Sequence, residues 1–529
     1  MSKWKKAGIW GTPIAFSVYS VLALYSYNIV EIRFVSTLRT LAAVAGLAVG
    51  IVFCLNLFLR NRMKASMIAT IWLLVFISYG HIYNLLDETP IFEFTRNEVL
   101  LPLSVLLLAG SFLWIWKAKK SIDWLLSFFG TTAAVLIVFT MYTLVNYFVF
   151  LPKVGNKNDA PIQTSATQTP GAKPDIYYII LDAYGRSDIL QGLYDFDNSS
   201  FIDQLKQDGF YVADASHSNY PQTLLSLASS LNMDYIDALD PPTRDPKHGR
   251  VWLTDEIHHS LVRQALAQQG YKLISFDNDW LTTIEDADYV YSFEHTELAT
   301  EIEDTSGFNK FETLYLSSTL GRIFFDLGWL KDRSDQEQYL FHYQETRYIF
   351  DQLEDVHELP GSYFVFAHLI VPHPPFVFSS DGGFVQGTQP FFLGDGSAFA
   401  GTPEEYVSGY RNQVAYVDDA VTKLVMDILA NSDPAPIIII QADHGPGSQL
   451  DWNSADNTNL DERFGILNAY YFPGNLNNGL YPSISPVNSF RLVLDDYFGM
   501  NLPFLPDKSY FSTWDDPLKF IDITGSLKK

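Results

Sequence analysis

The sequence predicts a region of five membrane-spanning helices, then a polar linker, then a large α/β domain with a mostly parallel central sheet. Three observations predict it. Five apolar stretches, each near the roughly 20 residues needed to cross a bilayer, precede residue 152. A segment rich in Pro, Thr, Gln, Asn and Gly follows, from Lys153 to Lys173, with no periodicity. Beyond it, short continuous apolar runs end abruptly in acidic residues and glycine, the pattern of strands buried on both faces of a parallel sheet.

The apolar stretches are Ile9–Val30, Thr40–Leu59, Met67–Leu86, Val99–Trp116 and Trp124–Leu151. Lys3, Lys5 and Lys6, then Arg60, Arg62 and Lys64, then Lys117, Lys119 and Lys120 cluster on alternate connections, while Asp87, Glu88 and Glu93 fall on the opposite side. This alternation follows the positive-inside rule and argues against buried helices of a soluble core. No small-residue cleavage site follows the first stretch, so it is expected to remain as a span. Five spans with the amino terminus inside put everything after Leu151 outside the cytoplasm, in a multi-pass protein of the plasma (inner) membrane.

Charge divides at the same place. Residues 1–160 hold 14 of the 35 Lys and Arg but only 7 of the 60 Asp and Glu, so the remainder is net −32 within a 529-residue chain of net −25. A surface this acidic argues against nucleic acid or anionic lipid as an electrostatic partner. Cys54, the only cysteine, falls in the second apolar stretch, so the exported part must fold without a disulfide. His81, near the outer end of the third stretch, reads as an interfacial or packing residue.

Two strand ends organise the α/β part. Ile437–Ile440 is a buried-strand run followed by Asp443, His444 and glycine, and a carboxylate beside an imidazole at such an edge suits a divalent cation. Ile176–Leu181 is a second run, with Asp182 at its carboxyl end and a turn at Gly185. In an open parallel sheet that edge is where ligands bind, so Asp182 and Asp443 are expected to face one crevice, although an isolated Asp there equally suits a turn cap. In Ser218–Asn232, Leu224, Leu227, Ala228 and Leu231 recur at helical spacing, and Pro221 fits the first turn. That places Thr223 at a helix start, among backbone N–H groups that favour an anion such as phosphate; an ordinary capping threonine is the alternative.

Helices and strands are expected to alternate from Asp234 to Glu358. Ile257–Gly270 reads as a helix, Tyr271–Phe276 as a strand, and FDNDW brings Trp280 to its end. Tyr363–Phe378 reads as a core strand, carrying a His368 expected to be satisfied internally, that leads into a loop carrying His373.

A strand ending in LDAYGR, a Thr at a helix start and a late strand ending in ADHG together resemble the alkaline phosphatase and sulfatase superfamily. With five spans ahead of an exported domain, the chain looks most like the membrane-bound sulfatase-like transferases, typified by lipoteichoic acid synthases and phosphoethanolamine transferases. The resemblance implies Asp182 as first metal ligand, Thr223 as metal-activated nucleophile, and Asp443 with His444 as closing ligands. It also implies substrate-binding roles for His373 in PHPPF and for Trp280. Arg463 follows the metal motif closely enough to give a bidentate contact to phosphate, with an ordinary salt bridge as the alternative. The additional Asp-x-x-x-His pair of two-metal relatives does not occur near His368–His373, and His444 is the last histidine, so one divalent ion (Mn, Zn or Mg) is expected. Thr223 also lacks the Cys or Ser context needed for conversion to formylglycine, which disfavours sulfate-ester hydrolysis of that type.

The expected domains are 1–152 (spans), 153–173 (linker) and 174–529 (extracytoplasmic catalytic domain). The expected activity is transfer of a phosphoglycerol- or phosphoethanolamine-like group from a membrane lipid donor to a glycan or lipid acceptor. A phosphodiesterase or sulfuric ester hydrolase is one alternative, and a catalytically silent membrane receptor is another. The silent reading requires a gap among the four ligand positions, and the sequence shows none.

Overall fold

The computed structural model describes residues 3–29, 32, 34–87, 96–119, 123–145, 173–241, 246–278, 280, 282–303, 308–327, 331–389, 391–474 and 479–528. Linker residues 153–172 lie outside these, as do Glu88, Glu93 and Lys120.

Five helices open the chain: α1 (Lys3–Tyr27), α2 (Leu38–Leu59), α3 (Arg62–Asp87), α4 (Arg96–Lys117) and α5 (Asp123–Val145). Among the described residues, the last four are long and apolar enough to cross a bilayer, against five expected; α1 is a helix of 25 residues. The turn between α2 and α3 shows how polar residues end a span. Arg60 adopts a left-handed conformation (φ 50°) and its N–H bonds Asn56 O at 2.8 Å, closing α2. The Asn61 side chain then accepts from the N–H groups of Met63 and Lys64, opening α3.

The remaining unit is built on a seven-stranded sheet: β1 (Ile176–Leu181), β2 (Tyr211–Val212), β3 (Lys272–Phe276), β4 (Tyr289–Tyr291), β5 (Tyr363–Leu369), β6 (Ile437–Gln441) and β7 (Asn468–Tyr471). The order is β2-β7-β6-β1-β5-β3-β4. β6, β1, β5, β3 and β4 run parallel, and β7 is antiparallel to both β6 and β2. The central strands are apolar on both faces because both are covered. Tyr177, Ile179 and Leu181 pack with Val414, Val417 and Val421 of the helix Pro403–Asn431. Ile176, Tyr178 and Ile180 pack with Leu224, Leu227 and Leu231 of the helix Thr223–Asn232. Each such side chain contributes roughly 1.5–3 kcal/mol on burial. The pairings of Ile180 with His368 and with Gln441 bring the carboxyl ends of β1, β5 and β6 level. That register puts Asp182 and Asp443 at one edge.

The expected boundary near residue 152 is only part of the division. The chain separates into Met1–Leu151 with Glu303–Asp335, and Pro152–Ile302 with Gln336–Lys529. Residues 303–335, read from sequence as part of the α/β domain, belong to the helical unit because Phe311 and Tyr315 bury against Val21, Tyr25, Val44 and Leu144.

Candidate metal centre

Four side chains converge at the carboxyl edge of the sheet. Asp182 follows β1 directly; its N–H bonds Leu369 O at the end of β5, and its carbonyl accepts from His373 N. Asp443 and His444 follow β6, and the Ser226 hydroxyl donates to Asp443 O at 2.6 Å, tying the Thr223–Asn232 helix to that turn. Gly445 is required here, since a Cβ would meet the carbonyl oxygens of Glu462 and Gly465. Gln222 precedes the helix in extended conformation and supplies no side-chain cap, so the N-terminal amides around Thr223 keep their capacity for an anion.

His444 Nε2 stands 3.2 Å from Thr223 Oγ1, 3.4 Å from Asp182 Oδ1 and 3.3 Å from Asp443 Oδ2. Its Nδ1 lies 3.0 Å from Gly445 O, a partner that can only accept, so Nδ1 carries the proton and Nε2 presents a lone pair. Burial first, then the positive charge of Arg463, pushes the imidazole pKa down and keeps the ring neutral. Each carboxylate has one satisfied oxygen: Asp182 Oδ2 accepts from His368, and Asp443 Oδ1 from Ala183 N at 3.3 Å. The other two, Asp182 Oδ1 and Asp443 Oδ2, are buried with no hydrogen-bond partner. Two anionic oxygens and an imidazole lone pair aimed at each other in a dry site repel unless a cation lies between them. Asp182, Asp443 and His444 offer ligand atoms all within 4.8 Å of one another, with Thr223 Oγ1 beside them. Hard oxygens plus one imidazole fit a divalent ion of the Mn, Zn or Mg kind.

His368, expected to be a strand histidine satisfied internally, is in contact with the site. Its Nδ1 receives the Asn278 amide at 3.0 Å and faces the Thr282 hydroxyl at 2.8 Å, which leaves the Nε2 proton for Asp182 Oδ2 at 3.2 Å. Burial opposes ionisation of Asp182, but His373, the His368 hydrogen bond and His444 together hold its carboxyl below the usual range. The sequence carries no signal for this role, because it arises from the β1–β5 register.

The remaining predicted residues divide. His373 lies with its ring 6.2 Å from that of His444 and its Nε2 4.0 Å from Asp395 Oδ2. Gln413 holds its loop, donating to His373 O and accepting from Val377 N. Arg463 does not present its guanidinium to a ligand. It is 1% exposed, and four of its five N–H groups go to Pro221 O (twice), Gly445 O and Asp395 Oδ2, the last at 2.5 Å. It braces the segment before Thr223 against the turn after His444. Trp280 lies beside His368 with ring centroids 6.0 Å apart and planes tilted by 50°, one side chain removed from the ligands. Asp395, absent from the sequence reading, anchors Arg463 and accepts from the Tyr406 hydroxyl at 2.7 Å.

The family model described as Sulfatase matches residues 174–475, more than half of the chain. No curated protein matches the chain. Among solved structures, the C-terminal periplasmic domain of EcEptC from Escherichia coli in complex with Zn is similar at 14% identity and a TM-score of 0.41, over 68% of this chain and 94% of that one. The integral membrane protein lipooligosaccharide phosphoethanolamine transferase A from Neisseria meningitidis is similar at 13% identity and a TM-score of 0.39, over 91% and 94%. The phosphonate monoester hydrolase of Agrobacterium radiobacter is similar at 15% identity and a TM-score of 0.39, over 64% and 75%.

Proposed function

The chain belongs to the sulfatase family, and from that premise we propose a membrane-anchored, metal-dependent phospho-headgroup transferase with Thr223 as nucleophile. One observation carries the proposal: two buried, unpartnered carboxylate oxygens face the Nε2 lone pair of His444, which itself lies 3.2 Å from the hydroxyl of a residue at a helix start. A divalent ion held by Asp182, Thr223, Asp443 and His444 would supply the Lewis acidity that makes a threonine hydroxyl nucleophilic at neutral pH.

Thr223 Oγ1 passes its proton to water as it bonds to the phosphorus of a phosphodiester lipid. The bond from phosphorus to the lipid alcohol breaks, and that oxygen takes up a proton for which His373 is the candidate donor. The open amides of the helix start meet the phosphoryl oxygens, whose charge is what such a site must offset. An acceptor hydroxyl, on a glycan or a second lipid, then gives its proton back to His373 as its oxygen bonds to phosphorus and the bond from phosphorus to Thr223 Oγ1 breaks. Arg463 keeps Pro221 and Gly445 in register, so it positions the nucleophile and does not touch substrate. Trp280 acts through His368 or at the rim of the site. The spans hold the enzyme where a lipid donor is concentrated, with the catalytic unit on the extracytoplasmic side of the inner membrane.

The family match also favours a hydrolytic reading, in which water takes the acceptor's place. Incubation with phosphatidylethanolamine or phosphatidylglycerol labelled in the headgroup separates the two. Transfer predicts label on the protein and then on an added alcohol acceptor, whereas hydrolysis predicts only free label. Undiminished protein labelling in Thr223→Ala would remove the mechanism.

A further inference from the structure

We propose that residues 308–327 form a re-entrant helical hairpin sunk into the outer leaflet, with Phe324 and Leu327 against phospholipid acyl chains. The reading is independent of the catalytic mechanism. Two short helices, Lys310–Ser317 and Arg322–Asp326, make the two arms. Their contacts run in register with the spans. Asn309 donates to Ser36 O just before α2, and Glu312 pairs with Arg39, the second residue of α2. Deeper, Tyr315 OH meets Ser20 Oγ of α1 at 2.8 Å, and Phe311 is fully buried in the same cluster. At the tip, Leu320 N donates to Phe76 O of α3. On the way out, Arg322 reaches Asn84 and stacks on Tyr83, and Asp326 accepts from Asn97 at the start of α4.

Phe76 lies eleven residues before the last residue of α3, so the tip sits about 16 Å from that helix end, near half of a ~30 Å hydrocarbon layer. Its chemistry suits that depth. Irregular backbone inside a bilayer must satisfy its own polar groups. Here the hydroxyls of Ser317 and Ser318 donate to Leu314 O, and that of Thr319 to Leu316 O. Glu312 also closes a capping box with Asn309 while holding Arg39. Gly80 of α3 makes the approach possible, because a Cβ there would overlap the carbonyls of Ser317 and Ser318. On the outward side Phe324 is 45% and Leu327 60% exposed, in character with apolar span residues such as Leu106, while the carboxylate of the exposed Asp326 between them is engaged by Asn97 and Arg322. The catalytic unit is therefore joined to the helical unit by three chain crossings and not by the polar linker alone.

The test uses the full chain in phosphatidylglycerol–phosphatidylcholine vesicles. Cys54→Ser removes the single thiol, and a fluorophore is placed at Leu327→Cys or Phe324→Cys. Doxyl-labelled lipid should quench both probes as it quenches one at Leu106→Cys, and Gly80→Leu should abolish quenching at Leu327 while leaving that at Leu106. Probes at Leu327 and Phe324 that doxyl lipid leaves unquenched, with Leu106 quenched, would overturn the proposal. So would unchanged quenching at Leu327 in Gly80→Leu.

Discussion

Two buried carboxylate clusters lie side by side in the catalytic unit, and they are built to opposite rules. Asp395 is buried among donors: Arg463 at 2.5 Å, the Tyr406 hydroxyl at 2.7 Å and Gly396 N at 2.8 Å. Burial works against its charge, but Arg463 and then His373 hold its carboxyl below the usual range. Asp182 and Asp443 are equally buried, yet each leaves one oxygen without a donor, and both of those oxygens face the His444 lone pair. The first cluster is complete as protein. In the proposed function a cation completes the second, so burial alone does not distinguish a structural acid from a proposed ligand and the hydrogen-bond account does.

The largest effect that would break this comparison concerns Thr223. Thr223→Ala removes the nucleophile but no charged ligand, so headgroup transfer should fall by about 10³-fold or more while metal binding persists. Retained metal with retained transfer would leave the cluster structural and the chemistry elsewhere. Next in size are the acids themselves. Asp395→Asn strands a buried guanidinium and should cost about 3–5 kcal/mol of stability, read as a fall in denaturant midpoint. Asp443→Asn in chelator-treated protein relieves repulsion instead, so its melting temperature should rise, even though metal affinity collapses. Equal destabilisation by both substitutions would show that the two clusters do not differ in kind.

A smaller effect sharpens the ligand side. His368 donates to Asp182 Oδ2 and so turns Oδ1 toward the other ligands. His368→Ala should lower metal affinity by about 10–100-fold, measured by competition with a chelating indicator, with His368→Gln recovering part of it. An unaltered affinity would make His368 a packing residue, as its place in a core strand alone suggests.

How much of this was legible follows from the same physics. Asp182, Asp443 and His444 could be read because apolar runs ending in acids mark strand ends, and parallel strands present those ends on one edge. Thr223 could be read from the periodicity behind it. His368 could not, since its contact depends on which residue of β1 it pairs beside, and register leaves no trace in a strand buried throughout. Asp395 sits in a loop without periodicity, and Arg463 looks like a phosphate ligand until its donors are traced to Pro221 and Gly445. That residues 308–327 group with the helical unit is not legible either, because helices of eight and five residues carry too little pattern to say which core they join.

The smallest effect concerns the order in which the two clusters fail in acid. The pKa of His444 is lowered from its ordinary value of 6.5 by burial and Arg463, so the neutral, ligating ring persists below that value and is lost only as pH falls further. Asp395 also has a lowered pKa, relative to 3.8. The stability it contributes is therefore fully present above 3.8 and is lost as pH falls through the still lower folded value. Lowering the pH from 7 should release the metal first, on the acid side of 6.5, and unfold the catalytic unit later, in or below the carboxylate range. An indicator dye follows release and near-ultraviolet circular dichroism follows packing in the same titration. Coincident transitions would mean that the cation holds the fold together, and the two clusters would then be one structural unit rather than a brace beside a reactive site.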